Sequence, residues 1–352
     1  MSLSLSVLDL CPIGTGYTAS TALHNSIDLA RRVEAFGYTR HWVAEHHNIP
    51  SVASSSPEVL IARLAEATQS LRIGSGGVML PNHAPLKVVE TFRTLEALFP
   101  GRIDLGLGRA PGTDRTTAAA MRRFMDTRNA EEFPAQLAEM LAFDNDEFPD
   151  DHPFRAVTPM PNDVTLPPIW LLGSSGHSAR LAAEWGLGYA FARHINPEGG
   201  VELRDYRRHF RPSAYLHKPS AILAVAAVCA DTAEEADRLA ASLRLTYLRL
   251  RTGRPAPVPT PDEALAYPYS DHERAQLDAL RPMHVVGDPQ SVKARIESLA
   301  EETGADEVMI VTNIHGHRAR VRSFELLAEA FELPPRQGTR GKADGFTPTP
   351  PR

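Results

Sequence analysis

Short apolar runs alternate along the chain with longer stretches in which apolar residues return every three to four positions. That alternation is the signature of βα units built around a parallel sheet. Strand-like runs fall near residues 3–9, 38–44, 72–80, 102–108, 168–172, 187–192, 221–230 and 306–312. They are apolar throughout, as strands buried on both faces are. Helical periodicity falls between them near 20–36, 57–69, 85–99, 129–143, 175–185, 200–209, 232–249 and 288–302, with a closing helix near 318–332. Eight strands with interleaved helices predict the α/β class, as a (β/α)8 TIM barrel with insertions.

Local punctuation supports the reading. Asp231 before Thr232-Ala233-Glu234-Glu235 reads as an N-cap with an acidic first turn, and Gly37 and Gly304 read as C-cap glycines. Two segments break the rhythm: 144–167, with Pro149, Pro153, Pro159, Pro161 and Pro167, and 251–283, Pro-rich and then polar. Long excursions of this kind predict lids over an active site. Residues 1–333 are expected to form one barrel domain, and the Pro/Gly/charged stretch 334–352 a disordered tail.

The chain has 352 residues, 43% hydrophobic and 23% charged, the make-up of an ordinary globular protein. Against 37 basic residues stand 43 acidic ones, a net charge of −6, so neither nucleic acid nor an anionic membrane is the expected partner. Cys11 and Cys229 are far apart, with no spacing that indicates a disulfide framework or a zinc site. The opening Met1-Ser2-Leu3-Ser4-Leu5-Ser6 carries no basic n-region, and no apolar run approaches a membrane span. A cytoplasmic location is expected.

Barrel enzymes place their chemistry after the C-terminal ends of the strands, which shortens the search. Those positions hold Ala44-Glu45-His46-His47-Asn48, the run from Gly74 to His83, Gly106-Leu107-Gly108-Arg109-Ala110-Pro111-Gly112, and Gly173-Ser174-Ser175-Gly176-His177-Ser178. The last joins a strand to a helix through glycines and hydroxyls, the recipe for free N–H groups and a positive helix end facing an anion. The plainer alternative is a helix N-cap by Ser174 or Ser175. Arg109, otherwise a solvated or ion-paired surface arginine, offers a guanidinium to the same anion. Gly106-Leu107-Gly108 is no dinucleotide fingerprint, because Pro111 stands where its third glycine belongs.

Gly74, Gly76 and Gly77 weaken a strand without packing benefit unless a flat object, such as a planar ring, approaches its backbone or an unusual peptide geometry is needed. His46 and His47 offer imidazoles that titrate near neutrality at a strand end. A structural histidine, or a metal site with His41 or Glu45, are the alternatives; without matching ligand spacing elsewhere, no metal is expected. His315 and His317 form a second, rim-like candidate, with His83 and His177 as secondary contacts.

Several of these segments, in order, resemble the bacterial luciferase-like flavin-dependent monooxygenases, a barrel family that binds FMN. The resemblance runs from about residue 3 to 333. It is carried by Ala44-Glu45-His46-His47, Gly76-Gly77-Val78-Met79-Leu80-Pro81, Gly101 through Arg109, Gly173-Ser174-Ser175-Gly176, Gly304-Ala305-Asp306-Glu307, and Arg322-Ser323-Phe324-Glu325-Leu326-Leu327-Ala328. It implies that His46 is the catalytic histidine of flavin–oxygen chemistry, and that Gly76-Gly77 forms a non-proline cis peptide beneath the flavin ring, beside Met79. It also implies that Arg109, Ser174, Ser175, Gly176 and Ser178 hold the FMN phosphate, joined by Arg128. Where luciferase itself has a cysteine beside the flavin, this chain has Gly108, so light emission is not expected.

The activity implied is that of a single-subunit enzyme, commonly a homodimer, that takes reduced FMN from a separate NAD(P)H:flavin reductase. With O2 it would oxygenate a small apolar organic substrate while the 251–283 lid excludes water. Relatives on the same barrel use the deazaflavin F420 for hydride transfer, and that is the alternative. A flavin-binding protein without turnover is a third.

Overall fold

The computed structural model describes residues 3–121 and 132–336. Arg128 and residues 337–352, most of the expected disordered tail, lie outside the described residues.

Ten parallel strands form one sheet: β1 (Ser4–Asp9), β2 (Arg40–Val43), β3 (Arg72–Ser75), β4 (Val78–Met79), β5 (Ile103–Gly108), β6 (Ile169–Gly173), β7 (Gly188–Ala192), β8 (Ala221–Cys229), β9 (His284–Gly287) and β10 (Glu307–Val311). Neighbours follow the chain from β1 to β8, and β10 pairs with both β1 and β8, so the barrel closes. Eight staves make the closed wall, with β3 and β4 as two halves of one stave interrupted at Gly76 and Gly77. Around it in chain order run α1 (Ala19–Ala35), α2 (Pro57–Ala67), α3 (Pro85–Leu98), α4 (Arg115–Met121), α5 (Phe133–Asn145), α6 (Gly176–Trp185), α7 (Val201–His209), α8 (Ala233–Arg251), α9 (Pro261–Leu265), α10 (Asp271–Leu280), α11 (Pro289–Thr303) and α12 (His317–Ala330).

Two differences from the sequence reading concern the segment before β10. Residues 251–283 are not structureless. They hold α9 and α10, each opened by a reciprocal capping box, Thr260 with Glu263 and Ser270 with Glu273. The missed strand β9 pairs with β8 at Ala226–Cys229, where β8 outruns its pairing with β10, which ends at Ala226. A smaller correction concerns α8: Thr232, not Asp231, is its N-cap, accepting the Glu235 amide at 3.2 Å, while Asp231 pairs with Arg322 at 2.8 Å. Gly304 ends α11 in the left-handed conformation as expected.

Alternation along the strands sorts side chains into two cores. One face packs the wall against the helices in a large apolar cluster containing Leu5, Val7, Ile73, Leu105, Leu171 and Val225. The other fills the lumen. At its bottom, Arg40 pairs with Asp104 at 2.8 Å and with Glu307 at 2.8 Å, Arg72 adds a second cation on Asp104, and Ser6 bonds Glu307. Above these ions Trp42 and Trp170 meet edge to face at 5.7 Å, with the Arg40 guanidinium against both rings. Ions this deep persist only when paired and hydrogen-bonded, and here they are, down to the Trp42 indole N–H on Asp104 at 3.0 Å.

Candidate functional site

Above the tryptophans the lumen opens into a cavity of about 970 Å³, counted to its open mouth. Leu8, Trp42, Leu172, Ala190, Ala224 and Met309 give it an apolar floor and wall. Concave, mostly apolar cavities with a few convergent polar groups are the usual form of small-molecule sites. At its rim stand His46, Gly76, Gly77, Met79, Arg109, Ser174, Ser175 and Ser178, all of them expected from the sequence. Gly176 opens α6 beside the cavity without lining it.

The Gly76–Gly77 peptide is cis. The non-proline cis peptide is the one the resemblance implies, and the space around the glycines is also taken up by the protein's own atoms. A Cβ on Gly74 would meet Asp104 and the Trp42 indole nitrogen within 2.7 Å, one on Gly76 the Leu8 side chain at 2.5 Å, and one on Gly77 the Gly106 carbonyl at 2.7 Å. Across the barrel, Gly188 leaves the same room for Trp170. These glycines therefore also admit the protein's own tryptophans and strands, while Gly76 and Gly77 line the cavity as well.

Glu45, fully buried, fastens this rim together. It accepts hydrogen bonds from His47 Nε2 at 2.9 Å, the Met79 amide at 2.8 Å, His83 Nε2 at 3.0 Å and Asn82 Nδ2 at 3.2 Å. Burial alone would raise its pKa, but the bonds from His83, His47 and Met79 outweigh it and hold the carboxyl below its usual range. His83 responds in the opposite sense: burial disfavours its charge, Glu45 more than compensates, and its pKa is raised.

His46 Nδ1 lies 3.2 Å from the Gly112 carbonyl, which also accepts the His47 amide at 3.2 Å. A carbonyl only accepts, so Nδ1 carries the proton and Nε2 is left with its lone pair. Burial lowers the His46 pKa, keeping the ring neutral. The segment after β5 is thereby stitched to the one after β2, and Thr113 adds its hydroxyl to the His47 carbonyl at 2.7 Å.

On the facing wall, Ser175 occupies the N-cap of α6 yet makes no capping bond with its side chain. The plain-cap alternative fails for this serine, and its hydroxyl lines the cavity instead. The loop is tied back through its carbonyls: Tyr189 donates to Ser175 O at 3.3 Å and Asn196 to Ser174 O at 2.9 Å. Arg109 has no hydrogen bond or ion pair among the described residues. A free guanidinium and an uncapped helix start on one cavity are the kind of groups from which anion sites are built.

Sequence reasoning missed His194, which lines the cavity just past β7, and Tyr189 and Asn196, which brace the loop. The other histidines serve the rim: His315 Nε2 donates to Thr15 O at 2.8 Å, and His317 pairs with Asp28 at 2.8 Å. His177 is exposed on α6. Cys11 and Cys229 are buried free thiols. Among the described residues, no helix is long and apolar enough to cross a membrane. No residue of 251–283 lines the cavity; Val258 instead bridges to the segment after β1 at the rim.

Comparison with known proteins extends this picture. The profile of a family described as luciferase-like monooxygenase matches residues 3–307. The uncharacterized protein YvbT of Bacillus subtilis is 46% identical over 93% of this chain and 96% of its own. A luciferase-like monooxygenase of Escherichia coli is 42% identical over 94% and 98%, and an N-acetyl-S-alkylcysteine monooxygenase of Bacillus subtilis 37% identical over 93% and 97%. Among solved structures, apo-MsnO8 is 40% identical and superposes with a TM-score of 0.87, over 95% of this chain and all of that one. More distant structures share the fold alone. The oxygenating constituent of a Pseudomonas putida diketocamphane monooxygenase, in complex with FMN, has a TM-score of 0.66 at 19% identity over 94% and 98%. An F420-dependent secondary alcohol dehydrogenase has 0.62 at 15% over 94% and 99%.

Proposed function

The chain belongs to the luciferase-like monooxygenases, and from that premise we propose that it uses reduced FMN and O2 to oxygenate a small, mainly apolar organic molecule. A separate NAD(P)H:flavin reductase supplies the reduced flavin. The observation that carries this reading is the single cavity in which an anion site, an apolar floor and a neutral histidine face one another. The residues fit FMN at both ends. Arg109, with the Ser174, Ser175 and Ser178 hydroxyls and the open N–H groups of α6, matches a phosphate; the apolar wall beside Gly76, Gly77 and Met79 matches a planar ring.

Reduced FMN supplies the electrons that activate O2. The protein's part is geometry, dryness and proton control. Arg109 and the start of α6 anchor the phosphate, and the walls from Leu8 to Met309 keep water from the reacting atoms. His46, deprotonated at Nε2, takes up or returns a proton at that atom. Glu45 positions the His46 loop against the Gly77–Met79 strand.

Anaerobic titration of the purified protein with photoreduced FMN beside reduced F420, followed by reaction with O2 in the presence of an N-acetyl-S-alkylcysteine, tests the reading. Tight binding of reduced FMN, with oxygenated product formed in proportion to flavin oxidised and in lower proportion by His46→Ala, is expected. Preference for F420 without oxygen consumption overturns it in favour of hydride transfer.

A further inference from the structure

We propose that His194 is a specificity-determining residue that accepts, at Nε2, a hydrogen bond from an O–H or N–H group on an otherwise apolar substrate. This assignment rests on the reading of the cavity as a substrate site and adds the polar feature the substrate must carry.

Three observations place the acceptor. His194 follows β7 and lines the cavity that His46 also lines. Its amide donates to the Ala224 carbonyl at 3.2 Å, and its ring Nδ1 lies 3.4 Å from the same oxygen, so the ring proton sits on Nδ1 and the lone pair on Nε2. Among the described residues Nε2 has no protein partner, and it is not among the sealed, unpartnered atoms of the interior, which leaves the cavity as the place where it is reached.

The backbone that carries the ring is held from behind. Tyr247 of α8 donates to the His194 carbonyl at 3.2 Å, and its own ring stands against His284 at 5.1 Å. Burial, with a smaller contribution from the neighbouring His46, lowers the His194 pKa to about 4, so at neutral pH the residue accepts and does not donate to the cavity. The same cavity is lined by Leu10, Leu172, Ala192, Ile195 and Ala224, whose side chains offer no donor, while its donors Arg109, Ser174, Ser175 and Ser178 are those assigned to the anion site. A wholly apolar ligand, or one whose only polar atom is an acceptor, leaves the imidazole lone pair unpaired in a dry wall. A ligand carrying one donor satisfies it. Sites built to bond one polar group reject analogues that lack it.

The test uses a matched pair of probes, 1-octanol and its methyl ether, titrated calorimetrically into the protein with and without oxidised FMN. Wild-type protein should bind the alcohol about 10-fold more tightly than the ether. His194→Leu should bring the two within about 2-fold of each other, and His194→Gln, which restores an acceptor, should recover the preference. If His194→Leu does not fold, His194→Phe, closer in shape to imidazole, carries the same comparison. Equal binding of the two probes by wild type, failure of both to bind, or a preference that survives His194→Leu overturns the assignment. Loss of FMN binding by wild-type protein counts against the flavin reading alone, because the probe comparison without FMN still reports on His194.

Discussion

The buried carboxylate of Glu45 accepts the backbone N–H of Met79 at 2.8 Å, joining the strand end that presents His46 to β4, the half-stave that follows the cis Gly76–Gly77 peptide. Replacing it by glutamine keeps the volume and removes the charge that His47, His83 and Met79 donate to. Hydrogen bonds to a charged group are worth about 1.5–3 kcal/mol each, so Glu45→Gln should cost about 3 kcal/mol in urea denaturation at pH 6. His83 adds a pH signature. Its folded pKa is raised, so the pair's contribution is complete below the unfolded histidine value near 6.5 and fades as pH rises through the folded value. The gap between wild type and Glu45→Gln should therefore narrow from pH 6 to pH 9, and a constant gap would refute the pairing.

His284 moves stability in the other direction. Both its ring nitrogens are buried without partners, and burial, with repulsion from Arg244, His194 and Arg251, lowers its pKa to about 4. The unfolded chain takes up a proton below about pH 6.5 that the folded chain refuses until near pH 4. Stability is thus lost as pH falls, by about 2 kcal/mol between pH 7 and pH 5 from this residue. His284→Phe should flatten that part of the profile in a urea series. An unchanged slope would mean the ring is protonated in the folded protein.

Phosphate recognition can be separated from ring recognition by comparing FMN with riboflavin. Arg109→Gln should weaken FMN about 10–100-fold, the worth of one charge-assisted pair, and leave riboflavin nearly unchanged. Ser175→Ala should act in the same direction with a smaller effect. Equal losses for both ligands in a fluorescence titration would remove the anion site from Arg109.

Two glycines two residues apart should differ sharply. A Cβ on Gly106 would stand 2.1 Å from the Ser75 carbonyl, whereas one on Gly108 meets the Met79 sulfur at 2.7 Å, the end of a flexible side chain. Gly106→Ala should lose about 3 kcal/mol or more, or fail to accumulate as folded protein, because neighbouring backbone cannot yield. Gly108→Ala should stay within about 1 kcal/mol of wild type, since Met79 can turn aside. Thermal denaturation of the two variants is the check.

Much of this architecture is legible in the chain. Strands such as Ala221–Cys229 are apolar at nearly every position, and the residues after β2, β5 and β6 announce a site by their polarity at strand ends. His284-Val285-Val286-Gly287 escaped notice because four residues after a proline-containing turn carry no period. The helices α9 and α10 hid behind proline, although Thr260 with Glu263 and Ser270 with Glu273 spell capping boxes in the sequence. His194 was passed over although it stands two residues beyond β7, at the kind of strand end where barrel chemistry is expected. It is a lone histidine in a polar loop, and only closure of the barrel brings it to the cavity that His46 lines. The strand glycines were read for the right stave and the right peptide geometry, but the sequence does not show that Trp42 and Trp170, inward-pointing from strands far apart in the chain, also need the room that glycines leave.

The ion cluster beneath those tryptophans has a consequence for the order of events above it. Arg40, Asp104 and Glu307 stopper the barrel below the tryptophans, so the cavity above them is a well closed at that end. Two molecules that share a well cannot pass each other freely: the one that lies deeper enters first and leaves last. Flavin and substrate placed together in this cavity, as proposed, would therefore arrive and leave in a set order.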